Sequence, residues 1–275
     1  MMKMIFSYAL LALVTPGCTR YAYFQSPMHV NSNTYRTVPF KADSVKSAIY
    51  ASGAITTGGA SESLRDGVAA FVGSLHRAHS FGVFQAYYGG TLALGDYKVD
   101  SVDQTTNVRF RNRNLDDALI NSKSGNKFFG AAGAVAGINV SIPFANGGEW
   151  RIIGTELSWT REFGNYYAFR NSLPDTAANL IDRYRNFYTG ALSTEFIFSI
   201  GRGYLGYKCA VVRSLRNLPY YDEDRMLSHW TSTYTTHTLH VSQKRVTGFC
   251  QLSFGSRAAA FQLGANVLVS RLPQK

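Results

Sequence analysis

The sequence predicts an all-β protein: an antiparallel up-and-down β-barrel of about ten strands, with eight as the nearest alternative, and a short helix in one long loop. From Ser47 onward, segments of roughly 10 to 18 residues alternate apolar with small or polar side chains, the period-2 signature of a two-faced strand. Aromatic residues make up 14% of the chain, with 17 Tyr and 18 Phe, while charged residues are only 16%, a balance that favours strands over helices. Short links at Arg77-Ala78-His79, Ala145-Asn146-Gly147-Gly148 and Gly201-Arg202-Gly203 alternate with long connections at 99–126, 164–187 and 217–228. That rhythm belongs to an up-and-down meander closed on itself.

The chain begins with a separate segment. Residues 1–17 carry one cation, Lys3, an apolar run from Met4 to Val14, and Gly17 ahead of Cys18, the layout of a secretory signal. The apolar run is about half the roughly 20 residues that a helix needs to cross a bilayer, so a permanent span is not expected. Thr15 to Cys18 resembles the bacterial lipobox, in which the signal peptide is cut before a cysteine bearing diacylglycerol. The resemblance implies a lipoprotein-type signal peptide over 1–17 and lipidation, with palmitate among the acyl chains, at Cys18. Thr15 and Pro16 depart from the pattern, which usually has an aliphatic residue three before the cysteine. An ordinary signal peptide that leaves Cys18 as a plain thiol is the alternative.

Residues 18–46 place Tyr21, Tyr23, Phe24, Tyr35 and Phe40 among Asn, Ser and Pro with neither a helical nor a strand period. They are expected to be a lipidated N-terminal tether that packs beside the barrel, and residues 47–275 the barrel itself. Its strands are expected at Ser47–Gly58, Arg65–Arg77, Ser80–Lys98, Lys127–Phe144, Glu149–Phe163, Gly190–Ile200, Leu205–Val211, His229–Ser242, Val246–Gly255 and Ala259–Val269. In the clearest, Leu192, Phe196, Phe198 and Ile200 lie opposite Ser193, Glu195 and Ser199; in the next, Leu205, Tyr207, Cys209 and Val211 lie opposite Gly206, Lys208 and Ala210.

In the long loops, Arg109, Arg111 and Arg113 share one face if extended and form a candidate anion contact. Ala177, Leu180, Ile181 and Tyr184 recur at helical spacing, and Asp222, Glu223 and Asp224 make the third loop acidic.

The second face of the strands separates the possible environments. Glu156, Glu195, Lys208, Gln262 and Asn266 recur there among Gly, Ala and Ser, which is unlike the core of a water-soluble protein and suits a polar lumen. Such charges must pair, so Glu195 and Lys208, on neighbouring strands, are expected to belong to an internal ion-pair network. Over Ser47 to Arg271 the pattern resembles small bacterial outer-membrane β-barrels. The resemblance implies a lipid-anchored protein of the cell outer membrane with a structural, binding or surface-interaction role and no enzymatic activity. At this strand number side chains are expected to fill most of the interior.

The net charge of +11 points to anionic partners. In the envelope these are membrane lipid, met through Cys18 and the barrel exterior, and lipopolysaccharide phosphates; nucleic acid is not expected. No phosphate loop, dinucleotide fingerprint or zinc cluster occurs, so no cofactor is expected. His237 and His240 are three apart on a strand and face opposite ways. His240-Val241-Ser242 is similar to the His-x-Ser of outer-membrane lipid A deacylases, which implies a lipid-modifying enzyme as one alternative, with Glu195 as the acid. A soluble envelope lipoprotein barrel holding an apolar ligand is the other. Cys209 and Cys250 either form one bridge or serve as small apolar residues.

Overall fold

The computed structural model of the protein describes residues 23–40, 46–59, 66–100, 113–221, 227–255 and 258–271. Cys18, Arg109, Arg111 and Asp222 to Asp224 lie outside the described residues.

In chain order the elements are β1 (Tyr23–Phe24), α1 (Met28–Asn31), β2 (Ser47–Gly59), β3 (Gly67–Phe81), β4 (Phe84–Val99), α2 (Arg113–Ser122), β5 (Gly125–Pro143), β6 (Glu149–Phe163), α3 (Asn165–Asn171), β7 (Leu180–Ile181), β8 (Asn186–Ile200), β9 (Gly203–Ser214), β10 (Leu218–Tyr221), β11 (Leu227–Trp230), β12 (Thr233–Gln243), β13 (Val246–Gly255) and β14 (Ala259–Arg271). Ten of the strands close into a barrel in the order β12-β13-β14-β2-β3-β4-β5-β6-β8-β9. The pairing of β14 with β2, from Ala259 opposite Gly59 to Arg271 opposite Ala48, joins the two ends of the meander. Within the barrel each strand therefore has a partner on both sides, and none is an edge.

The barrel is inside out relative to a water-soluble protein. Ile55, Leu157 and Leu263 are 70%, 62% and 59% exposed, whereas Arg151, Glu195 and Gln251 on the inner face are essentially buried. On β4, Gln85, Tyr87, Ala93 and Tyr97 face inward while Tyr88, Leu92 and Leu94 face outward, so the alternation read from the sequence survives with polarity reversed. No helix among the described residues is long and apolar enough to cross a membrane, a criterion that does not bear on strands.

The tight turns after β3, β5, β8 and β12 lie at one end, and the long connections after β4, β6 and β9 at the other, which also holds the short link from β13 to β14. Gly82 (φ 51°), Gly201 (φ 58°) and Lys244 (φ 53°) take the left-handed conformation at three of the tight turns. One expected turn is displaced: Arg77-Ala78-His79 lies within β3, where these residues pair with Ala86, Tyr87 and Tyr88, and the chain reverses at Gly82. The long-loop helix also differs in place. Ala177 ends a 3-10 turn (Asp175–Ala177) and Leu180 and Ile181 form β7, while the helix in that loop is α3. Arg113 opens α2 and so does not continue an extended run.

The largest departure concerns the tether. Residues 24–40 are buried throughout and run inside the barrel, not beside it. Tyr23 and Phe24 pair in parallel with Leu180 and Ile181 at the long-loop end. From there the segment descends past Thr56 and Tyr234 to Gln85 and Tyr204 near the short-turn end, where β2 begins. Ten strands enclose more room than wall side chains fill, and many inward positions are small, such as Ala54, Ala78, Ala131 and Ala210. One extended chain occupies the remainder.

Candidate functional site: the occupied lumen

The wall holds the inner segment through polar contacts along its length. Thr56 Oγ1 donates to Asn31 Oδ1 (2.7 Å), Gln251 Nε2 to the Asn33 carbonyl (2.6 Å), Asn266 Nδ2 to the Tyr35 carbonyl (3.3 Å), and Gln85 Nε2 to the Pro39 carbonyl (3.0 Å). His76 Nε2 lies 2.8 Å from the Thr37 carbonyl. An extended chain off any sheet ladder must satisfy its carbonyls in this way, because unmet buried groups cost about 1 to 3 kcal/mol each.

Two ionic centres lie between segment and wall. In one, Glu156 on β6 accepts from Asn33 Nδ2 (3.0 Å), from the Tyr87 hydroxyl and from Arg36 Nη1 (2.9 Å). In the other, Glu195 on β8 accepts from Arg151 Nη1 (2.8 Å) and the Tyr35 hydroxyl (3.0 Å), and His240 Nε2 lies 2.7 Å away. Arg151 also meets Glu149 at 2.7 Å. Glycine makes room for two of the rings: a Cβ at Gly137 would collide with Tyr87, and one at Gly206 with the His240 ring. Each centre thus takes groups from both the segment and the wall, and in the first, loss of Arg36 or of Glu156 leaves the other charge buried without its ionic partner.

A third cluster closes the long-loop mouth. Arg170 on α3 meets Glu162 at 2.7 Å, and Asp182 takes His29 at 2.9 Å, with the side chains almost fully buried. Burial alone would raise the Asp182 carboxyl, but the His29 hydrogen bond and the Arg170 guanidinium outweigh it and hold the carboxyl below its usual value. Tyr166 stacks on Tyr97 with ring centroids 3.7 Å apart, and the Tyr97 hydroxyl donates to Asp66 (2.7 Å). Burial pushes Asp66 up to about 6 despite that bond and one from the Asp100 N–H.

The inner face carries a network of buried charge around Glu195. Glu195 stands directly opposite Lys208 in register, so the two share a face, but its ion pairs go to Arg151 and His240. Arg151 was missed because a β-bulge between Arg151 and Gly154 changes which residues of β6 turn inward, and nothing local in the sequence marks it. Tyr35 and Arg36 were missed because their segment has no period.

His240 does find Glu195, but Tyr35 stacks on its ring at 4.4 Å, and Ser242 bonds Thr247 Oγ1 (2.8 Å) on the inner face. His237 faces outward and meets the Tyr207 hydroxyl at 2.7 Å. Cys209 and Cys250 are free thiols, with no bridge between them.

No family model matches the chain, and no curated protein does. Among solved structures it is similar to an outer-membrane channel from Pseudomonas putida F1 (10% identity, 93% of this chain and 99% of that one, TM-score 0.42). It is also similar to the β domain of the Bordetella autotransporter BrkA (13%, 81% and 99%, TM-score 0.37) and to the translocator domain of the autotransporter NalP from Neisseria meningitidis (10%, 83% and 90%, TM-score 0.32).

Proposed function

We propose that this protein is a non-enzymatic outer-membrane β-barrel lipoprotein that carries its own N-terminal segment through the membrane, closes its lumen with it, and presents the upstream end at the cell surface. The observation that carries this reading is the burial of residues 24–40 inside a barrel whose exterior is apolar, with Tyr23 at the long-loop end. An apolar outer band around buried charge suits lipid, and bacterial barrels of this kind keep short turns in the periplasm and long loops outside. Cys18 precedes Tyr23 by a stretch that spans at most about 17 Å when extended. A lipid on Cys18 therefore belongs at the outer mouth, within reach of the outer leaflet. Support for a non-enzymatic role is that His240 and Ser242 face the filled lumen, away from any lipid acyl chain.

An epitope inserted between Arg20 and Tyr21 tests the reading. It is expected to bind antibody on intact cells, and mass spectrometry of the mature N-terminus is expected to find an acylated Cys18. Binding only after permeabilisation rejects surface presentation. An unmodified N-terminus removes the anchor and leaves the plugged barrel standing.

A further inference from the structure

An arginine stands inside the apolar outer face, away from its rim. On β3, His76 and Ala78 are buried toward the lumen, so Arg77 and His79 point outward, between Leu75 on one side and Phe81 on the other. Arg77 is exposed, and Tyr88 of β4, also exposed, stands directly opposite it. His79 stacks on Tyr88 with ring centroids 6.0 Å apart. Three polar side chains thus share one spot on two adjacent strands, and among the described residues none of them has a hydrogen-bond or ion-pair partner.

The register places this cluster in depth. Residues directly opposite one another around the wall lead from His79 back to Gly67 of the same strand, twelve residues away. Ten strands with that offset tilt by about 40° from the barrel axis. The four residues from Arg77 to Phe81, at the β3–β4 turn, then span about 10 Å along the axis. That interval is apolar, for Phe81, Val83 and Phe84 are all exposed. A lone charge at such a depth in lipid is costly unless an anion reaches it. Strands β2 to β5 carry one carboxylate, Asp96, eight residues above Tyr88 on β4 and out of reach.

We propose that Arg77, Tyr88 and His79 bind the phosphodiester of a glycerophospholipid, drawn from the inner leaflet into the apolar band beside β3 and β4. The proposal rests on the outer-membrane reading above, which puts the short turns in the periplasm. A phosphodiester carries one negative charge and two free oxygens, which a single guanidinium neutralises and holds with its fork. The Tyr88 hydroxyl and the His79 imidazole add neutral donors. Arg77 also reaches down toward the head groups on its aliphatic stem, so the lipid climbs only part of the interval. Above the cluster, Gly90, Ala134 and Ala136 are outward, small and exposed, between the larger Leu92 and Leu157. This strip of smooth wall receives an acyl chain.

The test uses purified full-length protein in detergent, with native mass spectrometry reading retention of phosphatidylethanolamine and of diacylglycerol with the same acyl chains. Wild-type protein is expected to hold the phospholipid about tenfold more tightly, a difference of about 1.4 kcal/mol. R77Q is expected to lose that preference, Y88F to reduce it, and R202Q, at the β8–β9 turn, to keep it. Equal retention of phospholipid by R77Q and wild type overturns the site. Equal retention of phospholipid and diacylglycerol by wild type overturns the ligand, as does a second protein copy held in place of lipid and lost in R77Q. R77Q removes a charge from an apolar surface and is expected to fold, which heat-modifiable migration on a denaturing gel verifies. R77K, which keeps the charge but not the fork, is expected to weaken retention and supplies the comparison if R77Q does not fold. In vesicles, wild type is expected to lose more stability than R77Q as the acyl chains lengthen, because the head group must be drawn further; equal losses overturn the depth of the site. Failure of the orientation itself would appear separately, as a surface epitope detected only in permeabilised cells.

Discussion

Arg36, on the segment inside the barrel, and Glu156, on β6, hold each other at 2.9 Å with both side chains more than nine-tenths removed from solvent. The pair joins two parts of the chain whose only covalent connection lies at the short-turn end. It therefore reports whether the segment is a fixed part of the wall or a separable stopper. Breaking a buried pair on one side costs about 3 to 5 kcal/mol, whereas removing both charges is far less damaging. Glu156 keeps Asn33 and Tyr87 as donors, so R36A is expected near the low end, about 3 kcal/mol. The expected readout is intermittent ion conductance in planar bilayers together with protease cleavage within 24–40. The double variant R36A/E156Q is expected to be quieter than R36A. If both conduct as little as wild type, the pair does not hold the segment.

Removal of residues 24–40 altogether is expected to open a conducting pore. The exposed wall would carry Glu149, Glu156 and Glu195 against Arg151 and Lys208 in its middle, an excess of one carboxylate that favours cations. Reversal potentials in a salt gradient measure this directly. Anion preference, or no conductance from a properly folded variant, would show that the wall collapses or that other groups govern the lumen.

The barrel was legible in the sequence because lipid and lumen lie on opposite faces of each strand, and the period of two records that contrast even with polarity reversed. Glu149–Phe163 and Val246–Gly255 match the observed strands at both ends. Boundaries failed where residues are polar on both sides of a turn, as at Arg77 to His79, since alternation continues through His79 and only Gly82 marks the reversal. The segment 24–40 was illegible for a different reason. A chain inside a polar tube meets wall on every side, so it has no face to distinguish, and burial leaves no period. Its one readable signal is donor and acceptor density: Asn31, Asn33, Tyr35 and Arg36 all bond the wall or each other's backbone. Glu195 was legible as an inward charge, whereas its principal partner Arg151 depended on a bulge.

Asp66 makes the long-loop end sensitive to pH. Its carboxyl is raised from 3.8 to about 6, so the folded protein binds this proton more tightly than the unfolded chain does. Its contribution is then fully present below pH 3.8 and is lost as pH rises through about 6, at most about 3 kcal/mol over that window. The unfolding free energy in lipid vesicles is expected to show an excess decline between pH 4 and 7 that comes from this group. D66N is expected to flatten that excess. A profile unchanged by D66N would assign the dependence to another group.

Ile55 distinguishes a membrane barrel from a water-soluble one. Its side chain is 70% exposed on the outward face of β2, directly between Leu263 of β14 and Phe71 of β3, which are themselves exposed. In water, replacing an exposed isoleucine by lysine on a strand face changes stability little, commonly within about 0.5 kcal/mol, and reduces an apolar patch that would otherwise drive association. In a bilayer the same charge near the middle of the band costs about 2 to 4 kcal/mol. I55K is therefore expected to lower the unfolding free energy in lipid vesicles by an amount in that range and to reduce the yield of folded protein in the outer membrane. T56K is no substitute as a control, because Thr56 faces inward and bonds Asn31. The suitable control is G59K, at the long-loop end of the same strand and on the same outward side, where an added side chain meets open space and the cost near the interface falls to about 0 to 1 kcal/mol. A loss for I55K together with tolerance of G59K is the depth dependence of a bilayer. Equal tolerance of both, with the protein recovered in the soluble fraction, would favour the soluble barrel over the membrane one.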